Sequence, residues 1–268
     1  MTLPMRRMAA IAVLLATGGP LAGCGKGGPV TVTAPARSAT TATAPTTQPG
    51  GTPAAPQTGG TPTTAKTQAQ AFARAVNLKG ADVPGFRVSS EHQHEPETPA
   101  EKRLKPELRR CFGSLGETKE LVESSSGKFE RSAGLASQSV SSEVAIGQAA
   151  LTAKELGAIR GGHLPACLSH YFELLLKSQD LHGASVGPVT SKEGSPPARG
   201  MTGSFGLRFT ATVTLRGVRV PFYVDILGFA DGPAEVTLST FGLPQPFPAT
   251  LEEQLFSLLV ERARAHKL

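Results

Sequence analysis

Two periods of apolar residues organise the second half of the chain. In the stretch FGLRFTATVTL the apolar positions alternate: Phe205, Leu207, Phe209, Ala211, Val213 and Leu215. In VRVPFYVDIL they alternate again, at Val218, Val220, Phe222, Val224 and Ile226. A period of two with Arg216-Gly217 between the runs predicts a β-hairpin with one buried face. Its register sets Phe209 against Val224 and Ala211 against Phe222, and on the other face Arg208 against Asp225 and Thr210 against Tyr223. A third strand, 234–241, follows Asp231-Gly232-Pro233. Counted as an odd loop, that passage keeps Val236 and Leu238 on the apolar side and sets Pro221 opposite Leu243, beyond the strand's end. Further strands are expected at 139–146 and at 86–88.

Helical periods occupy the stretches between. Leu164, Cys167, Leu168, Tyr171, Phe172 and Leu175 recur at i, i+3, i+4, i+7, i+8 and i+11, one face of a helix. Leu151, Glu155 and Ile159 mark a shorter helix, which Gly161 and Gly162 should end. Thr98-Pro99-Ala100-Glu101 reads as a capping box with proline at the first helical position; it opens a helix that places Leu104, Leu108 and Cys111 on one side, with Pro106 expected to kink it. A second capping box, Thr250 with Glu253, is expected to start the last helix, through Leu255, Leu258, Leu259 and Arg262. Together these patterns predict an α+β domain: an antiparallel sheet, a meander around 204–241, with helices packed on one face.

The first 65 residues follow neither period. Arg6 and Arg7 precede an uncharged apolar run, 8–16, too short to cross a bilayer of about 30 Å. Gly18, Gly19 and Pro20 then break any helix. A basic start, a short apolar core and small residues are the layout of a secretory signal peptide, here residues 1–23. From 24 to 65 the chain is almost wholly Thr, Ala, Pro, Gly and Gln, with no acid and no aromatic. Such a composition cannot bury enough apolar surface to offset its ordering entropy and predicts a disordered tether. It would span about 35 Å as a coil and up to about 120 Å in polyproline II form. Residues 66–268 are left for a single extracytoplasmic domain of ordinary size.

Composition narrows the function. The formal charge of +6 falls to +4 once Arg6 and Arg7 leave with the signal. That balance is modest and lacks a basic run with interleaved aromatics, so nucleic acid is not an expected partner. With no tryptophan and two tyrosines, the chain offers little for carbohydrate stacking. After Cys24, two cysteines remain. In an exported domain an even pair, Cys111 and Cys167, reads as a disulfide. The alternative is a reactive thiol at Cys167 served by His163 or His170, a scheme that leaves Cys111 without a role.

Candidate chemistry is sparse. EHQHEPE gathers His92, His94, Glu91, Glu95 and Glu97, but Pro96 makes it a loop, and a solvated acidic loop is the expected reading rather than a metal site. Arg208 opposite Asp225, beside Tyr223 and Thr210, forms a cross-strand ion pair that could close the polar end of a ligand cleft. Leu227, Phe229 and Phe241 alternate with the core residues and so fall on the polar side. There they are expected either to be covered, by the Pro-rich FGLPQPFPA passage, or to form an apolar groove. The candidate ligand-binding set is therefore Arg208, Tyr223, Asp225, Phe229 and Phe241. No phosphate-binding glycine loop, Ser/His/Asp spacing or paired-carboxylate motif stands out, and no cofactor is expected.

The tetrad Leu21-Ala22-Gly23-Cys24 resembles the lipobox of bacterial lipoproteins. That resemblance implies that Cys24 is lipidated on sulfur, carries acyl chains such as palmitate, and becomes the mature N-terminus on the outer face of the cell membrane. Each buried acyl CH₂ contributes about 0.8 kcal/mol, so two or three chains hold a protein there almost permanently. Lipobox, Thr/Pro/Ala tether and a domain of about two hundred residues together resemble actinobacterial cell-envelope lipoproteins. The architecture with Cys111 and Cys167 also resembles, more loosely, the extracellular sensor domains of mycobacterial receptor kinases of the PknH type and the LpqN-like lipoproteins. It implies helices packed on an antiparallel sheet with a cleft that takes a ligand; it assigns no binding residue. The first expectation is a non-catalytic binding or sensor module for an apolar or amphipathic envelope molecule. The alternative is an accessory lipoprotein that docks another envelope protein, and a hydrolase comes third.

Overall fold

A computed structural model of the chain describes residues 62–90, 98–112, 121–134, 136–178, 185–215 and 217–268. The expected signal peptide, Cys24 and the expected tether as far as residue 61 lie outside these residues, as does the stretch 91–97, with His92 and His94, that was expected to be a loop.

The chain opens with α1 (Pro62–Val76), strand β1 (Arg87–Ser90) and α2 (Pro99–Phe112). Strands β2 (Val122–Ser125), β3 (Lys128–Ala133) and β4 (Ala136–Ile146) precede α3 (Ala149–Ile159) and α4 (Leu164–Ser178). Then come β5 (Ser185–Val186), β6 (Thr190–Gly194), the long meander β7 (Gly203–Leu215), β8 (Val218–Asp231) and β9 (Ala234–Leu243), and finally α5 (Ala249–Ala265). The nine strands form one antiparallel sheet in the order β1-β3-β4-β9-β8-β7-β5, with β2 also paired to β4 and β6 to β7.

Local chemistry accounts for several boundaries. At the start of α2, Glu101 N–H donates to Thr98 Oγ1 at 3.2 Å, and Thr98 N–H donates to Glu101 Oε2 at 2.6 Å. This is the reciprocal capping box the sequence predicted; the helix then runs on through Pro106. The tether boundary moves: α1 already begins at Pro62, inside the segment expected to be disordered to residue 65. The second expected capping box does not form. Helix α5 begins at Ala249 after Pro248, so Thr250 falls within its first turn, and both Thr250 and Glu253 are exposed.

The β7–β8 hairpin has the expected register, Arg208 opposite Asp225 and Phe209 opposite Val224. The β8–β9 hairpin differs from expectation by one residue. Asp231 pairs with Ala234, so the loop is the two residues Gly232 and Pro233, with Gly232 at φ +56°. Glycine in that conformation followed by proline suits a tight hairpin turn of the II′ kind. A shift of one residue moves a strand's side chains to the opposite face. Val236 and Leu238 therefore pair with Phe229 and Leu227, not with Gly228 and Ile226. The ladder ends at Tyr223–Gly242, so Pro221, as expected, has no partner on β9.

That shift explains why the helices occupy both faces instead of one. On the first face Phe205, Leu207, Phe209, Phe222, Val224 and Ile226 pack under α3 and α4, with α2 stacked on α4. The Cys111–Cys167 disulfide joins α2 to α4, so Cys167 carries no free thiol for His163 or His170 to serve. On the second face Val140, Val144, Phe229, Val236 and Leu238 pack under α1 and α5. Phe229 meets the ring of Phe256 on α5, centroids 5.7 Å apart, and Phe247 from the Pro-rich passage joins the same cluster. Of the apolar residues that looked misplaced in sequence, Leu227 and Phe229 thus belong to a second core, and Phe241 to the first.

A polar brace ties α1 into that second layer. Ser142 Oγ donates to Asn77 Oδ1 and accepts from the Leu78 N–H, while Arg262 of α5 donates to Asn77 O and to both carboxylate oxygens of Asp82. Burial works to raise the Asp82 pKa, but the Arg262 hydrogen bond and the Lys79 N–H together hold it below its ordinary value.

Candidate functional site

The five residues expected to line one cleft are not brought together. Arg208 and Asp225 meet as expected: Arg208 Nε donates to Asp225 Oδ1 at 2.5 Å and Nη2 to Oδ2 at 2.8 Å. Tyr223 lies on the same face, half-buried, opposite Thr210. Phe229 shares that face but is 0% exposed within the second core. Phe241 is on the other face, buried against Phe222 with ring centroids 6.4 Å apart. The physical reason is again the β8–β9 register, which turns odd residues of β8 and odd residues of β9 to opposite sides. No apolar groove runs between Phe229 and Phe241.

What joins the Arg208–Asp225 pair instead is the first turn of α5. Glu252 accepts a hydrogen bond from Thr240 Oγ1 at 2.6 Å, and its other oxygen lies 3.8 Å from Arg208 Nη2. Asp225, Thr240 and Glu252 are buried; the Arg208 side chain is 41% exposed and reaches water. Burial, with the nearby Asp225 charge, pushes the Glu252 carboxyl up to about 7, against the opposing pull of Thr240 and Arg208. The hydrogen bond to Asp225 raises the Arg208 pKa in turn. Sequence reasoning missed Glu252, although a signal was present. It stands three, four and seven positions before Leu255, Phe256 and Leu259, which puts a carboxylate on the buried stripe of the helix.

The cluster can hold a proton near neutrality and fasten α5 to the sheet. A hydroxyl beside a carboxylate base would be a nucleophile–base pair if a substrate could reach it. Thr240 is 0% exposed, enclosed between sheet and helix, so this pair meets no substrate in this state.

A different surface carries a strip of half-buried polar side chains. The first face of the sheet changes character between β8 and β9. On the β7–β8 half it is apolar and covered by α3 and α4. On the β4–β9 half it carries Ser139, Ser141 and Glu143 beside Thr237 and Ser239, with Ser141 opposite Ser239 and Glu143 opposite Thr237. Ser141, Glu143, Thr237 and Ser239 are half-buried. Ser139 is 1% exposed, and its Oγ has no hydrogen-bond partner among the described residues. A buried hydroxyl without a partner costs about 1–3 kcal/mol. Phe241, next to Ser139 in the register, borders this strip with an aromatic edge. The signal in sequence was plain alternation: in SVSSEVAI, Ser139, Ser141 and Glu143 alternate with Val140 and Val144.

Among the described residues no three of His, Cys, Asp and Glu gather as a metal site would require, and no helix is long and apolar enough to cross a membrane. Comparison of the chain with protein-family models, with curated proteins and with solved structures found no match.

Proposed function

We propose that the protein is a membrane-anchored extracytoplasmic lipoprotein, held on the outer face of the membrane through Cys24, that binds an amphipathic envelope molecule without chemistry. The observation that supports this reading is the hydroxyl-lined half of the first sheet face. Polar side chains there stand half-buried and in register across two adjacent strands, with an unpartnered Ser139 hydroxyl among them. A sheet face that served only as core would be apolar throughout, as its β7–β8 half is. Hydroxyls and a carboxylate supply orienting hydrogen bonds, and the Phe241 border supplies an apolar contact, the mixture that small-ligand sites use.

The test is native mass spectrometry of the protein secreted from a related host as a Cys24→Ala chain, followed by organic extraction. A reproducible added mass, released as an amphipathic molecule and lost in the Ser141→Leu/Ser239→Leu variant, is the expected result. A clean apo mass overturns the reading and favours the docking of another envelope protein. An added mass that survives the double substitution overturns the location.

A further inference from the structure

At the opposite edge of the sheet, where α3 ends beside β6 and β7, lies a separate concavity of about 370 Å³. Its floor is apolar: Ile159, Phe205 and Leu207, all buried. Its walls carry opposite charges, Arg160 and Glu193, with the hydroxyl residue Ser195 beside them. The site is fixed in place from two directions. Arg160 donates from Nε and Nη2 to Ser204 O at 3.1 and 2.6 Å, and Ser204 Oγ donates to Pro196 O at 2.6 Å, which fastens the rim to β7. Gly203 makes room for this arrangement: a Cβ there would stand 2.6 Å from Leu156 Cδ2 and 2.8 Å from Arg160 Nη2.

The charges are not used up. A guanidinium has five N–H donors, and the two bonds to Ser204 O leave others for a ligand. No ion pair joins Arg160 to Glu193 or joins either to another charged group among the described residues. A cation and an anion that line one cavity without bridging each other complement a ligand carrying both signs. A dianion would be repelled by Glu193, and a cation alone would meet Arg160. The volume is at the small end of ligand pockets, which run from about 300 to 1,000 Å³.

We infer that this cavity binds a small zwitterion with an apolar side group, as an apolar α-amino acid presents. The carboxylate lies on the free N–H groups of Arg160, the ammonium faces Glu193, and the side group rests on Phe205, Leu207 and Ile159. This site does not depend on the hydroxyl-lined half of the sheet, and either could fail without the other.

The experiment is calorimetric titration of the Cys24→Ala chain with L-leucine, N-acetyl-leucine and leucinamide. Leucine is expected to bind, and the two blocked compounds, each lacking one charge, to bind roughly tenfold more weakly or worse, because charge-assisted hydrogen bonds are the strong ones. Arg160→Gln should weaken leucine by a similar factor. Glu193 is exposed on β6, so Glu193→Gln leaves the fold intact and is the decisive variant: it should erase the preference for leucine over N-acetyl-leucine. Absence of leucine binding overturns the inference. So does equal affinity for leucine and the two blocked compounds, or an unchanged preference in Glu193→Gln.

Discussion

Glu252 is the residue whose environment departs furthest from its position in the sequence. A glutamate in the first turn of a helix ordinarily gains from the positive end of the helix dipole. Here burial and the Asp225 charge outweigh that, and the carboxyl is pushed up to about 7 from its ordinary 4.5. A carboxyl with a raised folded pKa holds its proton more tightly folded than unfolded. Stability is therefore highest below about 4.5 as far as this group is concerned, and declines as pH rises from 4.5 to 7. At 1.36 kcal/mol per unit the loss is about 3 kcal/mol. Urea denaturation at pH 5 and pH 8 measures it. Glu252→Gln, which can still accept from Thr240, should flatten this part of the profile. Asp82 does not confuse the result: its folded pKa is lowered, so its contribution is present above the ordinary carboxylate range and is lost only in stronger acid. An equally steep decline in Glu252→Gln would mean that another group carries it.

The pairing of α2 with α4 rests on one covalent bond and a shared apolar stripe, and the two can be separated. Leu108 of α2 and Leu164, Leu168 and Tyr171 of α4 are buried in one cluster, and Cys111–Cys167 closes a loop of sequence separation 56 across them. In the chain-entropy model a loop of that length stabilises the fold by about 4 kcal/mol. The Cys111→Ala/Cys167→Ala chain should lose that much in denaturant titration. A loss below about 1 kcal/mol would mean that the stripe alone holds α2. These helices were legible because their apolar residues repeat over several turns, and the β7–β8 hairpin was legible because its apolar positions alternate unbroken from Phe205 to Leu215 and from Val218 to Ile226. The β8–β9 register was not, since it turned on whether Asp231 belongs to the loop or to the strand. Either choice keeps Val236 and Leu238 apolar and alternating. The short strands β2, β3, β5 and β6 carry too few apolar positions to show a period, and Glu252 was hidden because Thr250 and Glu253 on either side of it have the spacing of a capping box. The candidate cleft suffered most, since Phe229 and Phe241 belong together only in the register that does not form.

Two cores on opposite faces of one sheet make a domain that closes on itself, and this bears on what the anchor does. Among the described residues both clusters begin at Ala69 or later, and the end of α1 is tied into the second core through Asn77, Leu78 and Asp82. If Cys24 is the membrane attachment, it positions the domain and does not help fold it. The Cys24→Ala chain should then leave the membrane fraction for the medium while keeping an oxidised Cys111–Cys167 pair and an unchanged denaturation midpoint. Acyl chains are expected to hold the parent protein almost permanently, so the redistribution should be close to complete. Fractionation of cells, with thiol labelling before and after reduction, reads both halves of the result. Retention of Cys24→Ala at the membrane would show that attachment lies elsewhere, in an uncleaved apolar segment or in a partner docked on the domain. Release with a lowered midpoint would show that the leading segment packs on the domain after all, and the tether reading would fail with it.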